Sequence, residues 1–135
     1  MTESLVPYGP ALSAYVCVGA LYVVQALVAD VTAIRHRHTP GMPVAGGHDD
    51  FLFRSVRAQA NTNENLPVFV VLSLATILLG ASPWWTNRFA WGFAAARLAH
   101  MLAYYADLRL LRSASFTVGF GCIIGLLITA IARHG

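Results

Sequence analysis

Lysine is absent from the chain: all nine basic residues are arginine, set against six acidic ones. Charged residues make up only 11% of the 135 positions, where soluble domains carry about 25%. So low a charge, beside 57% hydrophobic residues, excludes intrinsic disorder and an ordinary soluble globule. No dense basic face exists, so a nucleic-acid partner is not expected. Two cysteines, Cys17 and Cys122, cannot build a disulfide framework. Both fall in apolar runs and read as small apolar fillers rather than as a bonded pair. No internal repeat or low-complexity tract is present. No positive region precedes the first apolar stretch, so no cleavable signal peptide is expected.

What is present is four apolar runs, about Ala11–Ile34, Phe51–Leu79, Trp84–Leu108 and Ser115–Ala132. Each has the length of a membrane-spanning helix. None alternates as a β-barrel strand would. The breaks between them carry turn chemistry. TPGMPVAGG covers 39–47, Asp49 or Asp50 can cap the second helix, and GASP covers 80–83. The third connection is expected as a short turn near Arg109 to Arg112. The reading is an all-α integral membrane protein, an up-down bundle of four transmembrane helices at about 11–36, 50–80, 84–109 and 113–133, in a single domain over 1–135. Arg35, Arg37, Arg54 and Arg57 flank the first connection and Arg109 and Arg112 the third, whereas the other side has Arg88 and Arg133. The positive-inside rule then places connections 1–2 and 3–4 in the cytoplasm and both termini on the opposite side. Trp84 and Trp85 suit the aromatic belt there.

The informative residues are polar ones inside these runs. Arg54, Arg57, Asn61 and Glu64 follow at intervals of three, four and three, which puts them on one helical face. Pro67 follows and is expected to kink the helix. Arg97, His100 and Tyr104, extended by Asp107, repeat the pattern in the third run. Counting from Trp84 at 1.5 Å per residue, Arg97 lies about 20 Å below the outer surface. An intramembrane charge costs about 2.5–3.5 kcal/mol, so these stripes must face the bundle or a subunit interface, paired or around a polar ligand. One reading is purely structural: Arg97 pairs with Glu64, and Asn61 and His100 bond between helices. It leaves Arg54, Arg57 and Arg112 without carboxylate partners. An excess of arginine points to an anionic ligand at the inner membrane boundary. His36 and His38, with His48 near in sequence, are weak evidence for a metal, and solvated interfacial histidine is the preferred reading. Asp30 is expected to pair with a neighbouring arginine, and Tyr105 to pack.

The segments RSVRAQANTNENLPVF (Arg54–Phe69) and ARLAHMLAYYADLRLLRS (Ala96–Ser113) resemble helix 2 and helix 3 of the MAPEG family, the membrane-associated proteins of eicosanoid and glutathione metabolism. The resemblance covers nearly the whole chain. It implies a homotrimer in which glutathione, the co-substrate, sits between subunits near the cytoplasmic side, with no metal. Carried over position by position, it implies glutathione contacts for Arg57, Asn61 and Glu64, with Arg54 nearby, and for Arg97, His100 and Tyr104. Arg35 would bind a glutathione carboxylate. Arg112 and Ser113 resemble an Arg-Ser pair placed near the glutathione sulfur in prostaglandin-forming members. The chain departs from the family at Ala60, an arginine in that branch, and at Asn65, a tyrosine in the leukotriene-forming synthase.

The implied activity is a membrane-embedded glutathione-dependent transferase or peroxidase for lipophilic electrophiles or lipid hydroperoxides, which enter from the surrounding membrane lipids. In it Arg112 would favour the thiolate and Ser113 would donate to the sulfur. Arg112 has a plainer reading as a headgroup anchor. The alternative for the whole chain is a non-catalytic lipid-binding or scaffold protein of the same fold. A small transporter is a third reading, but broken helices and inverted repeats are lacking.

Overall fold

The computed structural model describes residues 5–132. They are all-helical, with no strand among them. A 3-10 turn, Val6–Tyr8, leads into α1, Gly9–Arg35. Three further helices follow: α2, Phe51–Leu78; α3, Pro83–Tyr105; and α4, Arg109–Ala132. Arg133, which entered the charge distribution and the expected end of the fourth helix, lies outside the described residues.

The helix ends follow from local chemistry. Pro10 and Pro83 open α1 and α3 at positions where the missing N–H costs nothing. Asp50 caps α2, its carboxylate accepting from the Leu52 N–H at 2.9 Å. Three helices close with the same device, a left-handed residue just past the last turn. Gly80 (φ 63°), Arg37 (φ 52°) and Asp107 (φ 54°) take that position. The two characteristic bonds are present at each: for Asp107, its own N–H reaches the Tyr104 carbonyl at 3.2 Å and the Leu108 N–H reaches Ala103 at 2.8 Å.

This corrects the expected third connection. Asp107 reverses the chain in one left-handed residue, so helix resumes at Arg109 rather than near 113. Arg112 therefore lies in the first turn of α4, its N–H on the Leu108 carbonyl at 3.0 Å. Pro67 lies within α2, which runs unbroken from Phe51 to Leu78.

Contacts fix the up-down order. Tyr8, at the start of α1, donates to the Ala81 carbonyl in the α2–α3 turn. Asn87 of α3 donates to the Pro7 carbonyl at 2.9 Å and accepts from the Ala11 N–H at 3.1 Å. One end of the bundle thus gathers the start of α1 and the α2–α3 turn. The other gathers the α1–α2 connection and the α3–α4 turn.

α3 packs against all three other helices, and α2 also touches α4. Phe69 of α2 stacks on Phe93 of α3 with centroids 4.2 Å apart, among Val18, Ala14, Ile123 and Leu126. The α3–α4 contact is close because α4 offers glycine where α3 offers bulk. A Cβ at Gly125 would lie 2.5 Å from the Phe89 ring. Gly125→Ala is expected to cost about 1–3 kcal/mol by overpacking, read as a lower melting temperature in detergent. An unchanged melting temperature would show that the two helices separate freely.

The outer surface is apolar. Val16, Leu27, Ile34, Val71, Leu110 and Ile128 are among many large side chains left exposed. α1, with its leading turn, and α4 are each long and apolar enough to cross a membrane. Cys17 and Cys122 are free thiols, and Cys17 faces outward.

Candidate functional site

The site is built around a buried cation. Arg97 of α3 is 1% exposed. Its Nη1 donates to Asn61 Oδ1 of α2 at 2.7 Å. Its guanidinium lies 5.4 Å from the Phe93 ring centre and 5.8 Å from that of Phe116. Gly119 of α4 makes room for it, since a Cβ there would lie 2.8 Å from Arg97 Nη2. Arg97 Nε has no hydrogen-bond partner among the described residues. Glu64 does not pair with it: the one ion pair among the described residues is Arg112–Asp107, at 3.9 Å. The structural pairing of Arg97 with Glu64 is thereby replaced by an amide contact, and a buried guanidinium remains without a carboxylate.

From Arg97 a line of polar and aromatic groups leads to the end of the bundle. His100 is buried, its Nδ1 without a partner. Its ring meets Tyr104 edge-on at 5.0 Å and Phe116 at 6.3 Å. Tyr104 carries the Arg112 guanidinium over its ring face at 4.6 Å. Arg112 Nη1 donates to His48 Nδ1 at 3.0 Å. Arg54 of α2 donates to the His48 carbonyl. Four elements converge here: the α1–α2 connection, α2, α3 and α4.

The predicted α2 stripe divides. At 100° per residue, Arg54 and Asn61 lie about 40–80° around the helix from Arg57 and Glu64. Arg54 and Asn61 turn toward the bundle, and Arg57 and Glu64 are exposed on its outside. The α3 set, Arg97, His100 and Tyr104, is buried together. Arg35 is exposed at the rim of a groove of about 340 Å³ shared with Leu27, Val31 and Phe51, and is not joined to the cluster. Ser113 is exposed, its hydroxyl bonded to the Arg109 carbonyl of its own helix at 3.3 Å.

Two residues escaped the sequence reading. His48 entered it only as a neighbour of other histidines, and it meets Arg112 across 64 positions, a separation with no local signal. Asp107 entered as the tail of a stripe, whereas it forms the turn that sets where α4 begins. Among the described residues no group of three His, Cys, Asp or Glu is placed to hold a metal ion. His36 bonds the Thr32 carbonyl at 2.9 Å, and His38 faces the Pro43 carbonyl at 3.4 Å. An apolar cavity of about 610 Å³, lined by Ala81, Trp85, Phe89, Gly125 and Ile128, lies at the opposite end of the bundle.

Chemically, the cluster offers guanidinium groups in excess of carboxylates, in surroundings that strengthen electrostatic attraction. It suits an anion with several polar groups. The model of the MAPEG family matches residues 3–132. No curated protein matches the chain.

Proposed function

Because this chain belongs to the MAPEG family, whose members are membrane-associated and generally use glutathione, we propose that it is a glutathione-dependent transferase or peroxidase acting on lipophilic electrophiles or lipid hydroperoxides. The observation that carries the reading is Arg97: a buried guanidinium with, among the described residues, an unbonded Nε and no carboxylate paired to it. A buried charge is sustained only by a partner, and an anionic co-substrate supplies one. The orphaned His100 Nδ1 fits the same ligand.

Arg97, with Asn61 and His100, would hold the tripeptide from inside the bundle. Arg57 and Glu64 are charged and exposed on their own chain, and lipid against them would penalise that charge. A neighbouring subunit covers them in the homotrimer, and Arg57 and Glu64, with Arg35, complete the site at that interface. Glu64 suits the ligand's amine and the arginines its carboxylates.

When bound, the thiol supplies the nucleophile, and its ordinary pKa of about 8.5 leaves it mostly protonated at neutral pH. Arg112 is the group that favours the thiolate, and Ser113, the next residue, would donate to the sulfur once its bond to the Arg109 carbonyl is released. The lipophilic partner enters sideways from the bilayer. The protein contributes proximity and electrostatics. The arginine-rich end, with the α1–α2 and α3–α4 connections, faces the cytoplasm, and both termini face the other side.

The deciding experiment is isothermal titration of glutathione into the detergent-purified protein, beside Arg57→Ala/Glu64→Ala. Saturable binding is expected, weakened at least about tenfold in the double variant as charge-assisted bonds are lost. A folded trimer that binds no glutathione would favour the lipid-binding scaffold instead.

A further inference from the structure

The α1–α2 connection ends in a residue that reaches across the bundle. Gly47 accepts from the Asp50 N–H at 3.0 Å, and Asp50 caps α2, so the backbone at His48 is held in a tight turn. Arg54 fastens the His48 carbonyl from α2. The ring stands edge-on to Phe53 at 5.2 Å, tilted toward Tyr104 at 6.1 Å. These contacts aim Nδ1 at Arg112 Nη1, 3.0 Å away.

The chemistry of the pair fixes its protonation. A guanidinium has donors only, so His48 Nδ1 accepts. The imidazole is neutral, with its hydrogen on Nε2. The remaining groups around Arg112 are the Tyr104 face beneath it and the Asp107 carboxylate at 3.9 Å, beyond hydrogen-bonding distance. His48 makes the one close side-chain hydrogen bond to Arg112 among the described residues.

We infer that His48 is a positioning residue for Arg112: its imidazole Nδ1 holds the guanidinium in place over Tyr104. Around His48 stand Arg54 from α2, Tyr104 from α3 and Arg112 from α4, with Asp49 and Asp50 next to it in the chain. The contact itself rests on geometry alone. Its catalytic consequence rests on the proposed function: without His48, Arg112 is less well placed to support the thiolate.

Two measurements on the full chain test this. The first is nitrogen NMR of histidine-labelled protein in detergent, with the His48 signals assigned by their loss in His48→Asn. At a pH where the ring is neutral, the Nδ1 signal should move clearly in Arg112→Met. The second compares His48→Leu with His48→Asn, whose amide oxygen can accept the same bond but takes no proton. With glutathione, His48→Leu should lose about tenfold in kcat and in thiolate absorbance, as expected for one bond to a charged group, with KM for glutathione little changed. His48→Asn should restore most of both. An Nδ1 signal indifferent to Arg112, or a His48→Leu protein with full turnover, overturns the inference. If glutathione fails to bind at all, the proposed function falls, and the Nδ1 response alone decides whether His48 holds Arg112.

Discussion

Arg97→Met is expected to weaken glutathione binding by about a hundredfold or more while leaving thermal stability unchanged or raised. The two halves have separate causes. Binding falls because Arg97 brings an unpaired guanidinium to the anion, and two charge-assisted bonds at about 1.5–3 kcal/mol each amount to a hundredfold or more. Stability holds because the unliganded protein gains little from a buried cation whose one hydrogen bond among the described residues is to the Asn61 amide. Replacing buried charge with an apolar side chain of similar size is often neutral or stabilising, by about 1–4 kcal/mol. A structural arginine behaves the other way. A lower melting temperature with intact binding would therefore assign Arg97 to the scaffold. Titration calorimetry and a melting curve on the same preparation separate the two.

Arg112→Ala is expected to keep glutathione binding within a few fold and lose about 100–1,000-fold in turnover, the loss typical when one preorganised stabiliser of developing charge is removed. The side chain sits at the end of the bundle, over Tyr104, away from the Arg97–Asn61 pair proposed to anchor the ligand. In that proposal binding and activation fall to different residues. The thiolate absorbance of the bound ligand should diminish with turnover. Unchanged turnover would remove Arg112 from the mechanism and leave it as an anchor for lipid headgroups.

The four-helix architecture was legible because apolar runs of spanning length leave few other structures open to the backbone. The polar stripes were legible too, since intervals of three and four specify a shared face. Which way a stripe turns is another matter. Spacing alone could not reveal that Asn61 points inward and Glu64 outward, because they differ by one edge of the same stripe. The purely structural reading, an Arg97–Glu64 pair, rested on complementary charge, and an uncharged neighbour, Asn61, took the contact instead. Asp107 gave no warning of a turn, since the left-handed position past a helix is commonly marked by glycine. The contact of His48 with Arg112 depends on how the two ends of the bundle close, and no local pattern encodes that.

The turn at Asp107 has a consequence for how far this fold can be stabilised. An aspartate at φ 54° is tolerated better than most side chains, yet glycine adopts that backbone without the steric penalty of about 1 kcal/mol. The chain accepts the strained residue at the place where a carboxylate comes within 3.9 Å of Arg112. Engineering for heat resistance would choose glycine there and lose the carboxylate. Heat resistance and the Arg112–Asp107 ion pair are in competition at this one position.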